Sequence, residues 1–147
     1  MLWDLEKSSR FLVKYRDHSS EILTLDVFPL DGNILVTGSN DCTARVWDIR
    51  MKSPCIRIFD IKKSGISAVK FMPESVNTLA FGCEDSLIKI FDLRAIGQVG
   101  KLKEVSEFKN VSSLAFSNSG RLLFSSYNNN KIKIWDILAE EKAGELQ

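Results

Sequence analysis

The chain is poor in the residues that most chemistry needs. It has one histidine, His18, in 147 residues. Its three cysteines, Cys42, Cys55 and Cys83, are odd in number and show no Cys-x-x-Cys spacing. No His/Cys ligand set for a metal can be drawn from them. They read as reduced thiols packed like small apolar side chains. No apolar run nears the roughly 18 residues that a membrane-spanning helix needs. The first residues, MLWDLEKSSR, lack the apolar stretch of a secretory signal, so the expected compartment is the cytoplasm. Asn110-Val111-Ser112 fits a glycosylation sequon, which in that compartment is incidental. Net charge is +1 and the pI about 7.7, so no single-sign footprint for nucleic acid or an anionic membrane is present. Direct insertion into a membrane is not expected. No helical period persists beyond about ten residues. GQVG at 97–100 is too short for a phosphate-binding loop and reads as a hairpin between strands. No cofactor is implied.

What the chain does have is a repeat. Trp3-Asp4, Trp47-Asp48, Phe91-Asp92 and Trp135-Asp136 follow one another at a constant spacing of 44 residues. Self-similarity at such a period decides architecture before any local reading does. With 44% apolar and 27% charged residues the composition is that of a folded domain, and residues 1–147 read as one domain of repeat units ending near Asp4, Asp48, Asp92 and Asp136.

Each unit contains short apolar strands between turn signals. First strands are EILTLDVF, ISAVKFM and VSSLAFS, each followed by a turn: PLDG, PESVN and NSGR. Second strands are NILVTGS, TLAFGCE and LLFSSY. A tight polar turn such as NDCT or NNNK leads to the third strand, which closes on Trp-Asp or Phe-Asp. Fourth strands are RFLVKYR, CIRIF and GKLKEVS. In KIKIWDIL, Ile132 and Ile134 face one way, and Lys131, Lys133 and Trp135 the other. The fold class is therefore all-β, and four antiparallel strands per 44 residues describe β-propeller blades. The large ring is expected to wedge between neighbouring sheets with its N–H bonded. The Asp beside it is expected to open the next turn by accepting backbone amides.

The Trp-Asp column, the VTGSND and AFGCED segments and the Phe-Pro end of the first strand resemble the WD-repeat family. The resemblance covers essentially the whole chain. It implies that His18, Thr37, Asp41 and Trp47 meet in a buried network that stiffens a blade. On paper acid, imidazole and hydroxyl also spell a catalytic triad. The structural reading is preferred, because no oxyanion loop or second titratable cluster accompanies them. Neither a catalytic nor a metal site is expected. The same columns hold Lys62, Phe81, Asp85 and Phe91 in the next unit, and Ser125, Asn129 and Trp135 in the third, with Ser106 or Glu107 where His would stand.

SNSGRLLFSSYNNNKIKIWDILAEEKAGEL, FDLRA and LVTGSNDCTARVWDIR are similar to consecutive repeats of the β subunit of heterotrimeric G proteins. That resemblance implies a non-enzymatic platform for signal transduction, binding a γ subunit and a GDP-bound α subunit. It places α-facing positions at Glu21, Leu23, Asn40, Gly65, Ser67 and Glu84, with Gly65 departing from the family's acid. It places γ-facing positions at Met72, Pro73, Asp92 and Arg94, and it would bring the chain to the membrane periphery through the γ partner. The family's ring has seven blades, whereas three units and the end of another stand here. An arc of three leaves two blade faces bare, so a fragment, closure by self-association through those faces, and a degenerate remnant all stay open. A general WD-repeat adaptor and an enzyme using His18 and Thr37 remain as other readings.

Overall fold

The computed structural model describes residues 2–4, 10–13, 15–95, 98–103, 110–139 and 141–146. Among them every regular element is a strand. β1 (Leu2–Asp4) and β2 (Arg10–Val13) form a two-stranded ribbon. Sheet I comprises β3 (Ile22–Val27), β4 (Ile34–Ser39), β5 (Thr43–Asp48) and β6 (Cys55–Asp60). Sheet II comprises β7 (Ile66–Met72), β8 (Ser75–Cys83), β9 (Leu87–Asp92) and β10 (Gln98–Lys103). Sheet III comprises β11 (Val111–Phe116), β12 (Leu122–Tyr127), β13 (Ile132–Asp136) and β14 (Glu141–Leu146). All neighbours are antiparallel and consecutive in sequence. The strand after each Trp-Asp or Phe-Asp pair is the outer edge of the same sheet, so sheets straddle the sequence repeat.

Period-two alternation gives each sheet two apolar faces, which stack sheet on sheet. Sheet I turns Val36, Ala44, Val46 and Phe59 toward sheet II, which meets them with Ile66, Val69, Phe71, Leu79, Phe81, Cys83 and Phe91. Sheet II turns Ala68, Ala80, Ile88, Ile90 and Leu102 toward Val111, Leu114, Leu123, Tyr127 and Trp135 of sheet III. Each fully buried large side chain is worth about 1.5–3 kcal/mol against exposure. The arc is three propeller blades that do not close on one another.

Two glycines set the spacing. A β-carbon on Gly38 would lie 2.6 Å from Ile66 Cγ2, and one on Gly82 would lie 2.5 Å from Val111 Cγ1. The inner strand of each following sheet seats its first apolar side chain over the bare backbone of the sheet before it. Polar contacts cross the same seams. Asp26 on β3 accepts from Lys70 Nζ (2.5 Å) and from the Phe71 N–H (2.9 Å), and the Ser67 hydroxyl donates to the Val111 carbonyl at 2.6 Å. The tight turns repeat too. Cys42, Ser86 and Asn130 occupy one column and share φ values of 64°, 70° and 63°.

The Trp-Asp pair behaves as its chemistry requires. Trp47 and Trp135 are buried, and their indole N–H groups donate to Thr37 and Ser125, ten residues earlier in each case. The Asp carboxylates take the amides of the following turn. Asp48 accepts from Arg50 N, Asp92 from Arg94 N, and Asp136 from Leu138 N and Ala139 N.

Several local expectations change. β8 starts at Ser75, inside the expected PESVN turn, because Met72 pairs with Ser75 and leaves only Pro73 and Glu74 to turn. GQVG is not a loop: Gln98 to Gly100 lie in β10, with an irregularity in register that absorbs a residue; Gly97 lies outside the described residues. The expected fourth strand RFLVKYR ends at Val13 in β2. β14 adds an outer strand to sheet III that EKAGEL, with no β-branched residue, did not suggest. Alternation in β13 holds, and the face that carries Lys133 and Trp135 is the covered one. Lys133 is fully buried with Nζ 5.3 Å from the Tyr127 ring centre, whereas Ile132 is 41% exposed.

Candidate functional site

The loop before β3 and the β4–β5 turn bring His18 and Asp41 together. His18 Nδ1 lies 2.8 Å from Asp41 Oδ2, and both side chains are at least 95% buried. His18 Nε2 lies 2.7 Å from Thr37 Oγ1, which also accepts the Trp47 indole N–H at 2.9 Å. One proton arrangement serves every atom: Nδ1–H donates to Asp41, Nε2 accepts the Thr37 hydroxyl hydrogen, and the Thr37 oxygen takes the indole N–H. Thr43 and Ser19, not singled out from sequence, complete the site. The Thr43 hydroxyl and N–H donate to Asp41 Oδ1 at 2.6 and 2.9 Å, and the Ser19 N–H donates to Oδ2 at 3.0 Å. The signal for Thr43 was its place two residues after an Asp in a tight turn, where an Asx-type bond forms. Burial pushes the Asp41 carboxyl upward, but the hydrogen bonds from Thr43, His18 and Ser19 outweigh it and hold the carboxyl well below the usual carboxylate range.

The other units change this network in different ways. In sheet II the ring–hydroxyl pair gives way to aromatics. Phe81 and Phe91 have ring centres 5.1 Å apart, and Phe59 joins both. Lys62 is exposed there, and Asp85 receives the Leu87 N–H instead. In sheet III Ser125 still receives the Trp135 indole, while Asn129 is exposed. Ser106 and Glu107 lie outside the described residues. The Thr37 oxygen is also engaged by the Trp47 indole N–H, and the residue is 6% exposed. A cavity of about 510 Å³ does border His18, Thr37 and Trp47. Its remaining apolar wall is Ile22, Leu25, Val27 and Leu35, the columns that Ile66, Val69, Phe71 and Leu79 fill in sheet II. The cavity is thus an uncovered blade face, not a cleft built around the histidine.

Of the six positions expected to face an α subunit, Glu21, Asn40, Gly65 and Glu84 meet on the rim formed by the β4–β5 and β8–β9 turns. The Asn40 N–H donates to the Glu21 carbonyl at 3.0 Å, and its side-chain amide points to Glu21 Oε2 at 3.5 Å. The Glu84 N–H donates to the Gly65 carbonyl at 3.0 Å. A β-carbon on Gly65 would lie 2.7 Å from Glu84 Oε2 and 3.0 Å from Asn40 Oδ1, so both side chains lean over that glycine. Leu23 and Ser67 sit one turn inward, at the register irregularities that open β3 and β7. Leu23 is 41% exposed, while the Ser67 hydroxyl is used between sheets. Ser112 and Asn128, which sequence reasoning missed, bond to each other at the corresponding place in sheet III.

The other four positions lie at the opposite ends of the strands. Met72 and Pro73 form the β7–β8 corner, where the Met72 side chain packs over Gly120 of sheet III. Asp92 and Arg94 pair with each other through two bonds of 3.0 and 2.6 Å, as Asp48 and Arg50 do at 2.8 and 2.7 Å. Bonds from the paired arginine lower Asp48 and Asp92 to about 2. No group of three or more His, Cys, Asp or Glu suited to a metal ion occurs among the described residues, and they include no helix long and apolar enough to cross a membrane.

Residues 9–48 and 101–136, just over half of the chain, match the protein-family model described as "WD domain, G-beta repeat". The chain is similar to proteins named guanine nucleotide-binding protein subunit beta. It is 33% identical to that of Oryza sativa subsp. japonica over 150 residues, 96% of this chain and 39% of the relative. It is 33% identical to that of Arabidopsis thaliana, with 96% and 39% covered, and 33% identical to that of Solanum tuberosum, with 94% and 38% covered. The chain thus spans about two fifths of the length of the curated relatives it matches. With three four-stranded blades, a Trp-Asp pair closing the third strand in two of them and a family match over half its length, this chain belongs to the WD-repeat family.

Proposed function

We propose that the chain is a non-enzymatic interaction platform of the G-protein β type, presenting one rim to a GTPase α subunit and the opposite rim to a γ subunit. The observation that carries this reading is the cluster of Glu21, Asn40, Gly65 and Glu84 on one rim. Gly65 stands where the β subunits it resembles have an acid, but the Glu84 carboxylate lies over that glycine and supplies a negative charge at nearly the same point. Pre-set acidic and amide groups on rigid sheet ends suit steering and register of a partner surface. Met72, Pro73, Asp92 and Arg94 would face the γ subunit, which would hold the complex at the membrane periphery from the cytoplasm. The test is stepwise: purify the chain with a γ subunit, then titrate with α subunit in its GDP form. Binding of both is expected, with Glu84→Ala weakening α binding and sparing γ. A folded, monodisperse sample that binds neither partner defeats the reading.

A second reading as a general WD-repeat adaptor is favoured by Leu23 and Ser67. The first offers the rim an exposed apolar side chain, and the second has its hydroxyl committed between sheets. That reading expects capture of linear peptides in place of a GTPase.

A further inference from the structure

The seam between sheets I and II holds a side chain that the seam between sheets II and III lacks. On β6, Arg57 stands opposite Val46. Its Nη2 donates across the seam to the Ala95 carbonyl, in the β9–β10 turn, at 2.8 Å, and its guanidinium carbon lies 5.6 Å from the Phe59 ring centre. On β10, Gly100 takes the same place, opposite Ile90. The columns around it correspond. Thr78 stands for Ile34, Ile90 for Val46, Leu102 for Phe59 and Ile137 for Leu93. The counterpart of the acceptor Ala95 is Ala139, an exposed residue of the β13–β14 turn. Gly100 offers no side chain to it. A cavity of about 200 Å³ is left in that seam, lined by Thr78, Ile90, Val99, Gly100, Leu102 and Ile137. We propose that this cavity receives an arginine side chain of a protein partner, whose guanidinium donates to the Ala139 carbonyl as Arg57 donates to Ala95.

Three observations favour this occupant. The same seat occurs in the preceding seam, and there an arginine fills it. The cavity is smaller than the roughly 300–1,000 Å³ of small-molecule sites, so it suits one long side chain and not a metabolite. Its wall is mostly apolar, which fits the methylene stem of arginine, while a carbonyl acceptor fits the planar head.

The opening faces a surface suited to a protein. Val99, on its wall, is 50% exposed, and Leu138, between Ile137 and Ala139, is 83% exposed. Thr78 pairs with Asp92, which sets the cavity beside the rim of Asp92 and Arg94. That the arginine comes from the partner on this rim rests on the proposed γ-facing role of the rim; the seat itself does not.

The experiment titrates the isotopically labelled chain with n-propylguanidinium, which has the stem and head of an arginine side chain, and follows amide signals by nuclear magnetic resonance. Signals of Gly100, Leu102 and Ile137 should move along one saturating curve. Those of Val46 and Phe59 should stay, because Arg57 already fills their seam. The neutral near-isostere n-propylurea should bind several-fold more weakly. Gly100→Arg, which carries its own occupant, should raise the urea midpoint and abolish the response. No movement of the three signals, up to the concentration at which the strands begin to unfold, overturns the proposal. An equal response to n-propylurea also overturns it, since it assigns the cavity to a neutral apolar group, and so does a lower midpoint for Gly100→Arg. Saturable n-propylguanidinium binding by a chain that binds no γ subunit supports the seat and removes the γ subunit as the donor of the arginine.

Discussion

Thr37→Val removes one hydroxyl and keeps the shape of the side chain. The Thr37 oxygen stands between two buried partners, Trp47 Nε1 at 2.9 Å and His18 Nε2 at 2.7 Å, and the indole is 2% exposed. Losing the oxygen strands a buried donor, which costs about 1–3 kcal/mol. It also removes the donor to the imidazole, so the whole change should cost about 2–4 kcal/mol. Ser125→Ala is the control within the same molecule. Ser125 receives the Trp135 indole at 2.8 Å, but its unit has no histidine for the hydroxyl to serve, so its loss should cost about 1–3 kcal/mol. Urea unfolding followed by tryptophan fluorescence reads both. With a slope near 2 kcal/mol per molar urea, the midpoint should fall by about 1–2 M for Thr37→Val and by about 0.5–1.5 M for Ser125→Ala. An unchanged midpoint for Thr37→Val, or a smaller drop than Ser125→Ala gives, refutes the reasoning that the His18–Thr37–Trp47 chain stiffens sheet I.

Acid should unfold the chain through its depressed carboxylates. Asp48, Asp92 and Glu145 are each lowered to about 2, by bonds from Arg50, Arg94 and Lys131 respectively, and Asp41 is lowered as well. Unfolded values lie near 4, so this contribution is complete above about pH 5 and is lost as pH falls from about 4 toward 2. Urea midpoints taken between neutral and acid pH should decline through that window, with a shallower decline in Asp41→Asn; a flat profile contradicts the assignment. Thiol reactivity should sort by burial. Cys83 is fully buried and its thiol is pushed up to about 12, chiefly by burial, while Cys42 and Cys55 are half-buried. A thiol reagent should modify Cys42 and Cys55 in native buffer and Cys83 only in urea; three equal rates contradict the packing of sheet I on sheet II.

The 44-residue spacing made the strand count and the place of the rings legible, because a large ring followed by an acid marks a strand end wherever it recurs. His18, Thr37, Asp41 and Trp47 were named together through resemblance, and the distances now bind them. Other features needed a third dimension. Alternation puts Lys133 on the face of Trp135, but only the stacking of sheet III on sheet II shows that the lysine is itself fully buried. Gly38 and Gly82 look like ordinary strand glycines until the next sheet's Ile66 and Val111 are placed over them. β14 has a weak strand composition, and its pairing with β13 is what makes it a strand; the period carried forward from β10 could have found it. The Glu84 carboxylate over Gly65 was not legible either, since 19 residues separate two positions that one turn and one loop bring together.

The central claim is that each run of four consecutive strands forms one sheet, straddling the repeat boundary, and that consecutive sheets meet through a glycine on one and the first apolar side chain of the next. Nuclear Overhauser spectroscopy on the isotopically labelled chain tests it directly. Strong cross-peaks are expected from Gly82 Hα to the Val111 methyls and from Gly38 Hα to the Ile66 and Val69 methyls. Missing cross-peaks at both glycines in a folded sample, or cross-peaks from those methyls to strands two sheets away, would contradict the stack.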